Sequence, residues 1–376
     1  MSQTVLRGRL VLDDTVAPGR VVVEDGVIAA VELADASGAD AGGPYIAPGF
    51  VDIHVHGWGG NDAMGDITAL DGMARRLLRR GVTGFLPTAV TAPLDDLVAF
   101  ADRVRGWLRT SPEDGTEPLG FNLEGPFLAE ARRGAHDEHA LLAPADAPPG
   151  RLDRLVEGCR VVTVAPELPG AMELIAWLAE RGIVASVGHS TATYEQARAA
   201  FETGARSTTH LFNAMTGIDH RAPGVALAAL LDDNAYTELI ADGIHVAPPV
   251  WQLIARLKPA DRLLLVSDAV PMAGSNARRG RIGALDCEVD GGRIVLAGTT
   301  TLAGSAIALD DAVRNLVREG FALPTAVAAA SRNPLALLGI EDRGRIAVGQ
   351  RADLVELTAS LQVHGVMRAG TWIAAD

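Results

Sequence analysis

Cysteine is nearly absent from the 376-residue sequence: it occurs only at Cys159 and Cys287, and neither belongs to a Cys-x-x-Cys motif. A disulfide framework is therefore excluded, and this usage is typical of a reducing compartment. The first residues, MSQTVLRGRLVLDD, lack the apolar segment of a signal peptide, and no apolar run approaches the ~18 residues that span a bilayer. We expect a cytoplasmic protein that does not bind membranes.

Basic residues are also few, with 33 Lys and Arg against 47 Asp and Glu and a formal net charge of −14. Binding to nucleic acid or to an anionic membrane needs a basic face, so the charge argues against both partners. A phosphate group on a small molecule would have to be held by a local cluster of Arg and His. Apolar residues make up 48% of the chain, which is typical of a globular protein rather than a disordered one.

Short apolar runs alternate with amphipathic stretches through the middle of the chain. The apolar runs predict eight strands: Phe50–His56, Val82–Val90, Gly120–Glu124, Arg160–Ala165, Ile183–His189, Arg206–His210, Tyr236–Ile244 and Arg262–Asp268. The amphipathic stretches predict helices such as Ile67–Arg80, Leu94–Leu108, Met172–Arg181 and Tyr194–Thr203. Eight alternating units predict an α/β fold, a (β/α)8 TIM-like barrel. The alternative is an open doubly wound sheet, but no Gly-x-Gly-x-x-Gly motif follows the first strand.

The two ends of the chain have a different character, with short β-rich runs and glycine turns such as Asp25-Gly26. We therefore expect residues 1–48 and 341–376 to form one small β-sandwich domain around a barrel of residues 49–340. An Arg- and Gly-rich stretch near 278–297 predicts a β-hairpin inserted after the eighth strand, followed by a helix at Ile307–Arg318.

Histidine and acidic residues occur at the ends of most predicted strands. Barrel active sites are built at the C-terminal strand ends, so these side chains should meet at one rim. They are His54 and His56, Glu124, His189, His210, Asp242 and His245, and Asp268. Taken singly, each has an ordinary role in a turn, a cap or a half-buried strand end. Together they predict a site for a divalent metal ion, because His54 and His56 share one strand face and buried imidazoles and carboxylates need partners.

Several longer motifs resemble a known family. GFVDIHVHG, the Glu-Gly-Pro of strand three and the single His and Asp residues of strands five, six and eight resemble the amidohydrolase superfamily. A more specific set resembles its N-acetylglucosamine-6-phosphate deacetylases: LEGPF, RRGAHD, VGHS, HLFNAMTGIDHRAPG, ADGIHV, SDAVPMAG, LAGSAIALDDAVRN, NPLALLGI and GRIAVGQRADLV. The resemblance extends from about residue 45 to 357.

This resemblance implies a metal-dependent amide hydrolase of amino-sugar catabolism or cell-wall recycling, usually a homodimer. Glu124, His189 and His210 match the main metal ligands, and Asp268 matches the general acid and base. His136, Asn213, Ala214, Arg221 and His245 match positions that hold the sugar phosphate and the acetamide, and Arg221 or His245 could reach across from a neighbouring subunit. The ion would be Zn2+ or Fe2+, and because this chain keeps His54 and His56, one or two ions could bind.

Two other interpretations remain open at this point. The first is a different amidohydrolase, one that acts on a cyclic amide, as dihydroorotase-like and hydantoinase-like enzymes do, or on another N-acyl sugar phosphate. Against cyclic amidases, strand four reads RVVTVAPEL and lacks the lysine that, when carboxylated, bridges two metals in many relatives. The second is an inactive barrel that only binds metal.

Overall fold

The computed structural model describes residues 3–34 and 42–374. Residues 1–2, 35–41 and 375–376, which belong to the predicted terminal β domain, lie outside the described residues. Within the described ranges, none of the helices combines the length and apolar character needed to cross a bilayer.

The strands, numbered in chain order, are β1 (Gln3–Val11), β2 (Val16–Glu24), β3 (Val27–Leu33), β4 (Tyr45–Pro48), β5 (Phe50–Val55), β6 (Gly57–Trp58), β7 (Asn61–Asp62), β8 (Val82–Val90), β9 (Glu117–Pro118), β10 (Phe121–Glu124), β11 (Cys159–Val164), β12 (Val184–Val187), β13 (Ser207–Thr208), β14 (Tyr236–Leu239), β15 (Leu263–Leu265), β16 (Arg279–Ile282), β17 (Leu285–Asp290), β18 (Arg293–Leu296), β19 (Leu354–Leu357), β20 (Val363–Arg368) and β21 (Thr371–Ala374). The α-helices are α1 (Ile67–Leu78), α2 (Leu94–Trp107), α3 (Pro149–Val156), α4 (Ala171–Glu180), α5 (Tyr194–Thr203), α6 (Val225–Leu231), α7 (Pro248–Leu257), α8 (Leu309–Arg318), α9 (Leu323–Ala330) and α10 (Arg332–Leu337).

Eight parallel strands form the barrel. Strands β5, β8, β10, β11, β12, β13, β14 and β15 lie side by side in this order, and each pairs with the next in parallel. The first and last strands meet through backbone hydrogen bonds, because Asp268 N donates to His54 O at 2.9 Å and His56 N donates to Ala269 O at 2.8 Å. The predicted (β/α)8 barrel is therefore confirmed.

The barrel strands start within a residue or two of their predicted positions, but the later ones end earlier than the sequence predicts. The sixth ends at Thr208 rather than His210, and the eighth ends at Leu265 rather than Asp268. Beyond these strand ends the backbone becomes irregular: His189, His210 and Asp268 have φ values of 46°, 28° and 49°. A left-handed residue cannot continue a β ladder, so the chain turns at these three positions and directs their side chains into the barrel mouth.

The helices surround the barrel with their apolar faces inward. Helix α1 begins at a capped position, where the Asp66 side chain accepts a hydrogen bond from Ala69 N, and it buries Leu70, Met73 and Leu77. Helix α5 begins with a capping box formed by Thr193 and Gln196. Truncation of a fully buried leucine in such a helix typically costs about 2–5 kcal/mol of folding stability.

Both ends of the chain contribute to one seven-stranded sheet, in the order β21-β20-β19-β4-β1-β2-β3. Its core contains Leu10, Ile46, Leu354 and Met367. The predicted turn at Asp25-Gly26 joins β2 to β3, with positive φ at both residues as a type I′ turn requires. The sheet agrees with a small β domain made from both termini, while the domain boundaries at 48/49 and 340/341 stay a prediction.

The inserted segment after the eighth barrel strand is larger than a hairpin. Strands β16, β17 and β18 form a three-stranded antiparallel sheet. It buries Ile282, Cys287 and Ile294 against Val90 and Met272 of the barrel. The insertion therefore packs directly over the barrel mouth.

Candidate metal centre

The C-terminal strand ends and the loops that follow them bring seven potential ligands to one buried position. His54, His56, Glu124 and Asp268 place one ligand atom each within 4.8 Å of one another, and Glu124, His136 and His189 form a second such group. All of these side chains are buried. Glu124 belongs to both groups, so it lies at the centre of the site.

The two oxygens of Glu124 face two different sets of imidazoles. Its Oε1 lies 2.7 Å from His210 Nε2 and 3.0 Å from His189 Nε2. Its Oε2 lies 3.0 Å from His56 Nε2 and 3.4 Å from His54 Nε2. Each oxygen of Glu124 thus lies beside two imidazole nitrogens. This arrangement could hold one cation, or one cation near each oxygen.

The glycine after Glu124 is required by the space around it. Gly125 has φ of 109°, and an added Cβ would lie 2.0 Å from Thr91 Oγ1. A side chain at this position would therefore displace the loop that carries Glu124. This is a physical reason for the Glu-Gly-Pro sequence at the end of β10.

Three imidazoles are oriented by acceptors on their outer edges. His189 Nδ1 lies 2.8 Å from Arg132 O, His56 Nδ1 lies 3.1 Å from Thr88 O, and His54 Nδ1 lies 3.0 Å from a Glu238 oxygen. An acceptor at Nδ1 favours the tautomer that carries its proton there, which leaves the Nε2 lone pair for a ligand. The donor set therefore fits a divalent metal ion.

The electrostatics of the site follow from burial and from opposite charges in contact. Burial alone would raise the pKa of Asp268, but the hydrogen bond from His56 and the charge of His54 lower it to about 2. Burial would also raise the pKa of Glu124, but His54, His136 and His189 hold it well below its usual range. Both acids are therefore carboxylates at neutral pH. Burial lowers the pKa of His189 to about 4, so this imidazole is neutral and able to bind a cation.

His136 presents a proton to the site. Its Nδ1 accepts a hydrogen bond from Thr91 N at 3.2 Å and lies 2.9 Å from Thr91 Oγ1. Because a backbone N–H can only donate, Nδ1 of the neutral ring is the acceptor and the proton resides on Nε2. That Nε2 faces Glu124 at 3.3 Å.

A cavity of about 330 Å3 opens directly above these residues. His136, Asn213, Ala214 and His245, four of the five predicted substrate-binding residues, line it. His245 is held by Asp242, whose Oδ2 lies 2.7 Å from the imidazole Nδ1. Asp242, which the sequence placed among the candidate ligands, therefore supports His245 rather than the metal centre.

Arg221, the fifth predicted residue, is exposed and is not part of the wall of this cavity. Its backbone N–H donates to the carboxylate of Asp219 at 2.8 Å. Among the described residues that line the cavity, Arg132 is the one guanidinium, and it comes from the loop after β10.

Sequence reasoning missed three supporting residues of the site, namely Thr88, Thr91 and Glu238. Thr88 and Thr91 give no signal, because a threonine in or after an apolar strand is ordinary. Glu238 carried a signal: it is an acidic residue within the otherwise uncharged strand YTEL. The single lysine of the chain, Lys258, follows α7 and donates to Ala229 O at 2.7 Å, away from the site. A bridging carboxylated lysine is therefore excluded.

Buried imidazoles and carboxylates at the mouth of a (β/α)8 barrel define a metal-dependent hydrolase class. Residues 45–373 match the model of the Amidohydrolase family. An N-acetylgalactosamine-6-phosphate deacetylase of Escherichia coli O157:H7 is 36% identical, over 97% of this chain and 98% of that protein. The N-acetylglucosamine-6-phosphate deacetylase of Homo sapiens is 38% identical, over 88% of this chain and 84% of that protein.

A solved structure is similar over its whole length. It is a mutant of N-acetyl-D-glucosamine-6-phosphate deacetylase from Mycobacterium smegmatis in complex with N-acetyl-D-glucosamine-6-phosphate. It is 35% identical, with complete coverage of both chains and a TM-score of 0.92. The chain therefore belongs to the amidohydrolase family and, within it, to the amino-sugar-6-phosphate deacetylases.

Proposed function

We propose that this protein hydrolyses the acetamide of N-acetylglucosamine 6-phosphate to give glucosamine 6-phosphate and acetate. The observation that carries the proposal is the placement of Glu124 between the Nε2 atoms of His189 and His210 on one side and those of His54 and His56 on the other. Relatives that cover nearly the whole chain are named for this activity.

Glu124, His189 and His210 are the proposed ligands of the main divalent cation, and His54 and His56 extend the site toward a second one. Imidazole and carboxylate ligands suit Zn2+, with Fe2+ as the alternative. Such an ion supplies Lewis-acid chemistry, which makes water a stronger nucleophile at neutral pH and polarises a carbonyl group.

Asp268 is the proposed general base and acid. Its Oδ1 lies 3.2 Å from His56 Nε2, and the residue is only 7% exposed. A carboxylate at this position accepts a proton from the attacking water and returns it to the departing amine. Its low pKa means that it is ionised at neutral pH, the state in which a carboxylate can accept a proton.

His136 is the proposed donor to the acetyl oxygen. Its tautomer, fixed by Thr91, directs an N–H into the cavity. A donor aimed at an oxygen that gains negative charge in the transition state typically contributes about 3–4 kcal/mol to lowering the barrier.

Asn213, Ala214, His245 and Arg221 are the proposed contacts of the sugar phosphate. His245 lines the cavity of its own chain, whereas Arg221 lies outside it on an exposed segment with Ile218. We therefore propose a homodimer in which Arg221 reaches the cavity of the partner subunit. Arg132, in contrast, would face the phosphate in the cavity of its own chain. A guanidinium matches a phosphate better than other side chains, because it donates two parallel hydrogen bonds.

N-acetylgalactosamine 6-phosphate is a second candidate substrate. The relative from Escherichia coli O157:H7, which aligns with 97% of this chain, is named for that sugar. The two sugars differ only in the configuration at C4, so the acetamide and the phosphate occupy the same positions in both.

Acetate release from a panel of substrates tests the proposal. The panel contains both 6-phosphates, unphosphorylated N-acetylglucosamine and a cyclic amide such as dihydroorotate. We expect acetate from a phosphorylated N-acetyl sugar, with a kcat/KM at least 100-fold above that for the unphosphorylated sugar. Hydrolysis of the cyclic amide alone would show a different amidohydrolase, and metal binding without hydrolysis of any substrate would show an inactive barrel.

Cytoplasmic location remains a prediction. It is supported by Cys159 and Cys287, which are both buried free thiols rather than a disulfide. Burial raises the pKa of the Cys159 thiol to about 12 and that of Cys287 to about 11, so neither is a reactive thiolate at neutral pH.

A further inference from the structure

Glu238 lies behind the metal centre, on the outer edge of His54. It belongs to β14, the seventh barrel strand, and it is 1% exposed. We propose that Glu238 is a positioning residue that fixes the ring of His54 and the backbone at His210, and so builds the cation site on the side of His54 and His56. This inference rests on the proposed metal-dependent function.

Glu238 contacts the ring of His54. One oxygen of Glu238, Oε2, lies 3.0 Å from His54 Nδ1, on the edge of the ring that points away from Glu124. An imidazole exchanges its proton between two nitrogens, and its ring flips about the Cβ–Cγ bond. An acceptor fixed at Nδ1 selects one tautomer and one ring orientation, with the Nε2 lone pair toward the site.

Glu238 also contacts the His210 segment. The same Oε2 accepts a hydrogen bond from His210 N at 3.0 Å, and the backbone oxygen of Glu238 accepts one from Leu211 N at 2.8 Å. β13 ends at Thr208, so these two amides lie beyond the regular ladder. Glu238 therefore supports the left-handed backbone at His210, where φ is 28°.

Glu238 is poorly explained as a purely structural residue. Its other oxygen, Oε1, is buried and has no hydrogen-bond partner among the described residues. A half-satisfied buried carboxylate destabilises a fold relative to an apolar side chain of similar size. Glu238 also contacts His54 Nδ1 and the backbone of His210, and not the Nε2 atoms that face Glu124.

Glu238 thus joins the two halves of the metal centre through one atom. His54 belongs to the half that faces Glu124 Oε2, and His210 belongs to the half that faces Oε1. Loss of Glu238 is expected to act first on His54, because His210 also has its ring nitrogen 2.7 Å from Glu124. The cation nearest His54 and His56 should therefore be the more sensitive of the two.

The test measures metal binding without substrate. Glu238→Leu removes both hydrogen bonds, and Glu238→Gln retains an oxygen that can accept both but removes the charge. Thr237→Val is the matched control, because Thr237 is a fully buried neighbour on the same strand whose hydroxyl has no partner among the described residues. Zn2+ content is measured by elemental analysis, and affinity by Co2+ titration of the metal-free proteins.

We expect Glu238→Leu to lose one ion per chain relative to the wild type, and Glu238→Gln to bind that ion about 10–100-fold more weakly, as is usual when an outer hydrogen-bond partner of a ligand is changed. Thr237→Val should bind metal as the wild type does. In a His54→Ala background, Glu238→Leu should cause no further loss of the ion nearest His56, because its effect on that ion acts through His54. If Glu238→Leu does not fold, Glu238→Gln alone decides the matter.

The proposal is overturned if both Glu238 variants keep the metal content and affinity of the wild type. It is also overturned if the wild type saturates with one ion and the Glu238→Gln variant binds that ion equally well. These outcomes are separable from the proposed activity. A wild-type protein that releases acetate while Glu238→Leu binds metal normally refutes only the positioning role. A wild-type protein that releases no acetate while Glu238→Leu loses an ion refutes only the deacetylase.

Discussion

Glu124 Oε1 and His210 Nε2 lie 2.7 Å apart, although the two residues are separated by 86 positions in the sequence. Their contact exists because β10 and β13 end at the same rim of the barrel. A parallel barrel collects side chains from distant strand ends in this way, and a cation can then bind several of them at once.

Replacement of a central ligand should remove metal. We expect Glu124→Gln and His189→Ala to lose the main ion and with it at least about a 100-fold factor in activity, since loss of a supporting partner alone costs 10–100-fold in metal affinity. Elemental analysis of the purified variants checks this. Glu130→Gln, on an exposed turn after the same loop, is the control. Full metal content in Glu124→Gln would remove Glu124 from the ligand set.

Asp268→Asn should separate chemistry from metal binding. The amide has nearly the same shape as the carboxylate but does not accept the proton of the attacking water, so kcat should fall by about 10²–10⁴-fold while the main ion stays bound. Steady-state acetate release together with metal analysis checks both halves. The exposed Asp286→Asn serves as the control. Turnover near that of the wild type would show that another group moves the proton.

Arg221→Ala and Arg132→Ala should raise KM for the phosphorylated sugar. Loss of a hydrogen bond between charged groups typically costs about 1.5–3 kcal/mol, or roughly 10–100-fold. The same variants should act nearly as the wild type does on the unphosphorylated sugar, because that substrate lacks the group they contact. An equal rise in KM for both substrates would indicate that these arginines do not bind the phosphate.

A mixing experiment tests whether Arg221 crosses between subunits. A mixed dimer contains one Arg221→Ala chain and one Asp268→Asn chain. If Arg221 comes from the partner, the site of the first chain has its own Asp268 and the Arg221 of the second, so both residues are native there. Refolding an equal mixture should therefore restore roughly a quarter of wild-type activity, since half of the dimers are mixed and each has one working site. If the mixture, assayed well below KM, shows only the average activity of the two variants, Arg221 acts within its own chain or not at all.

The metal-free protein should lose stability at alkaline pH. Burial lowers the pKa of His56, but the contacts with Asp268 and Glu124 outweigh burial and raise this pKa to about 9. A raised pKa means that the protonated ring stabilises the fold fully below pH 6.5, and that this contribution is lost as the pH rises through 9. Thermal unfolding in a chelator should therefore show a falling Tm between pH 6.5 and 9.

His56→Asn is the control for this pH effect, and its Tm should change less over the same range. A bound cation replaces the ring proton, so Zn2+ should raise the Tm of the wild type most at the alkaline end. A Tm that is flat from pH 6.5 to 9 in the wild-type metal-free protein contradicts the assigned coupling of His56 to its carboxylates.

The sequence predicted the barrel and the converging residues because both depend on local patterns. The alternation of apolar strands and amphipathic helices is readable, and His54, Glu124 and Asp268 occur where such strands end. The early ends of β13 and β15 were not readable, because residue type does not reveal a left-handed histidine or aspartate. Contacts between strands were also hidden: nothing in the sequence pairs His54 with Glu238, 184 positions away.

The position of the bound ion decides whether the strand-end side chains share one cation. Crystals grown with Zn2+ and measured at the zinc absorption edge should show an anomalous peak about 2.0–2.2 Å from a Glu124 oxygen and from the Nε2 atoms of His189 and His210. A peak at another place in the protein, with these three side chains pointing to separate positions, would contradict the convergence on which the proposed chemistry depends.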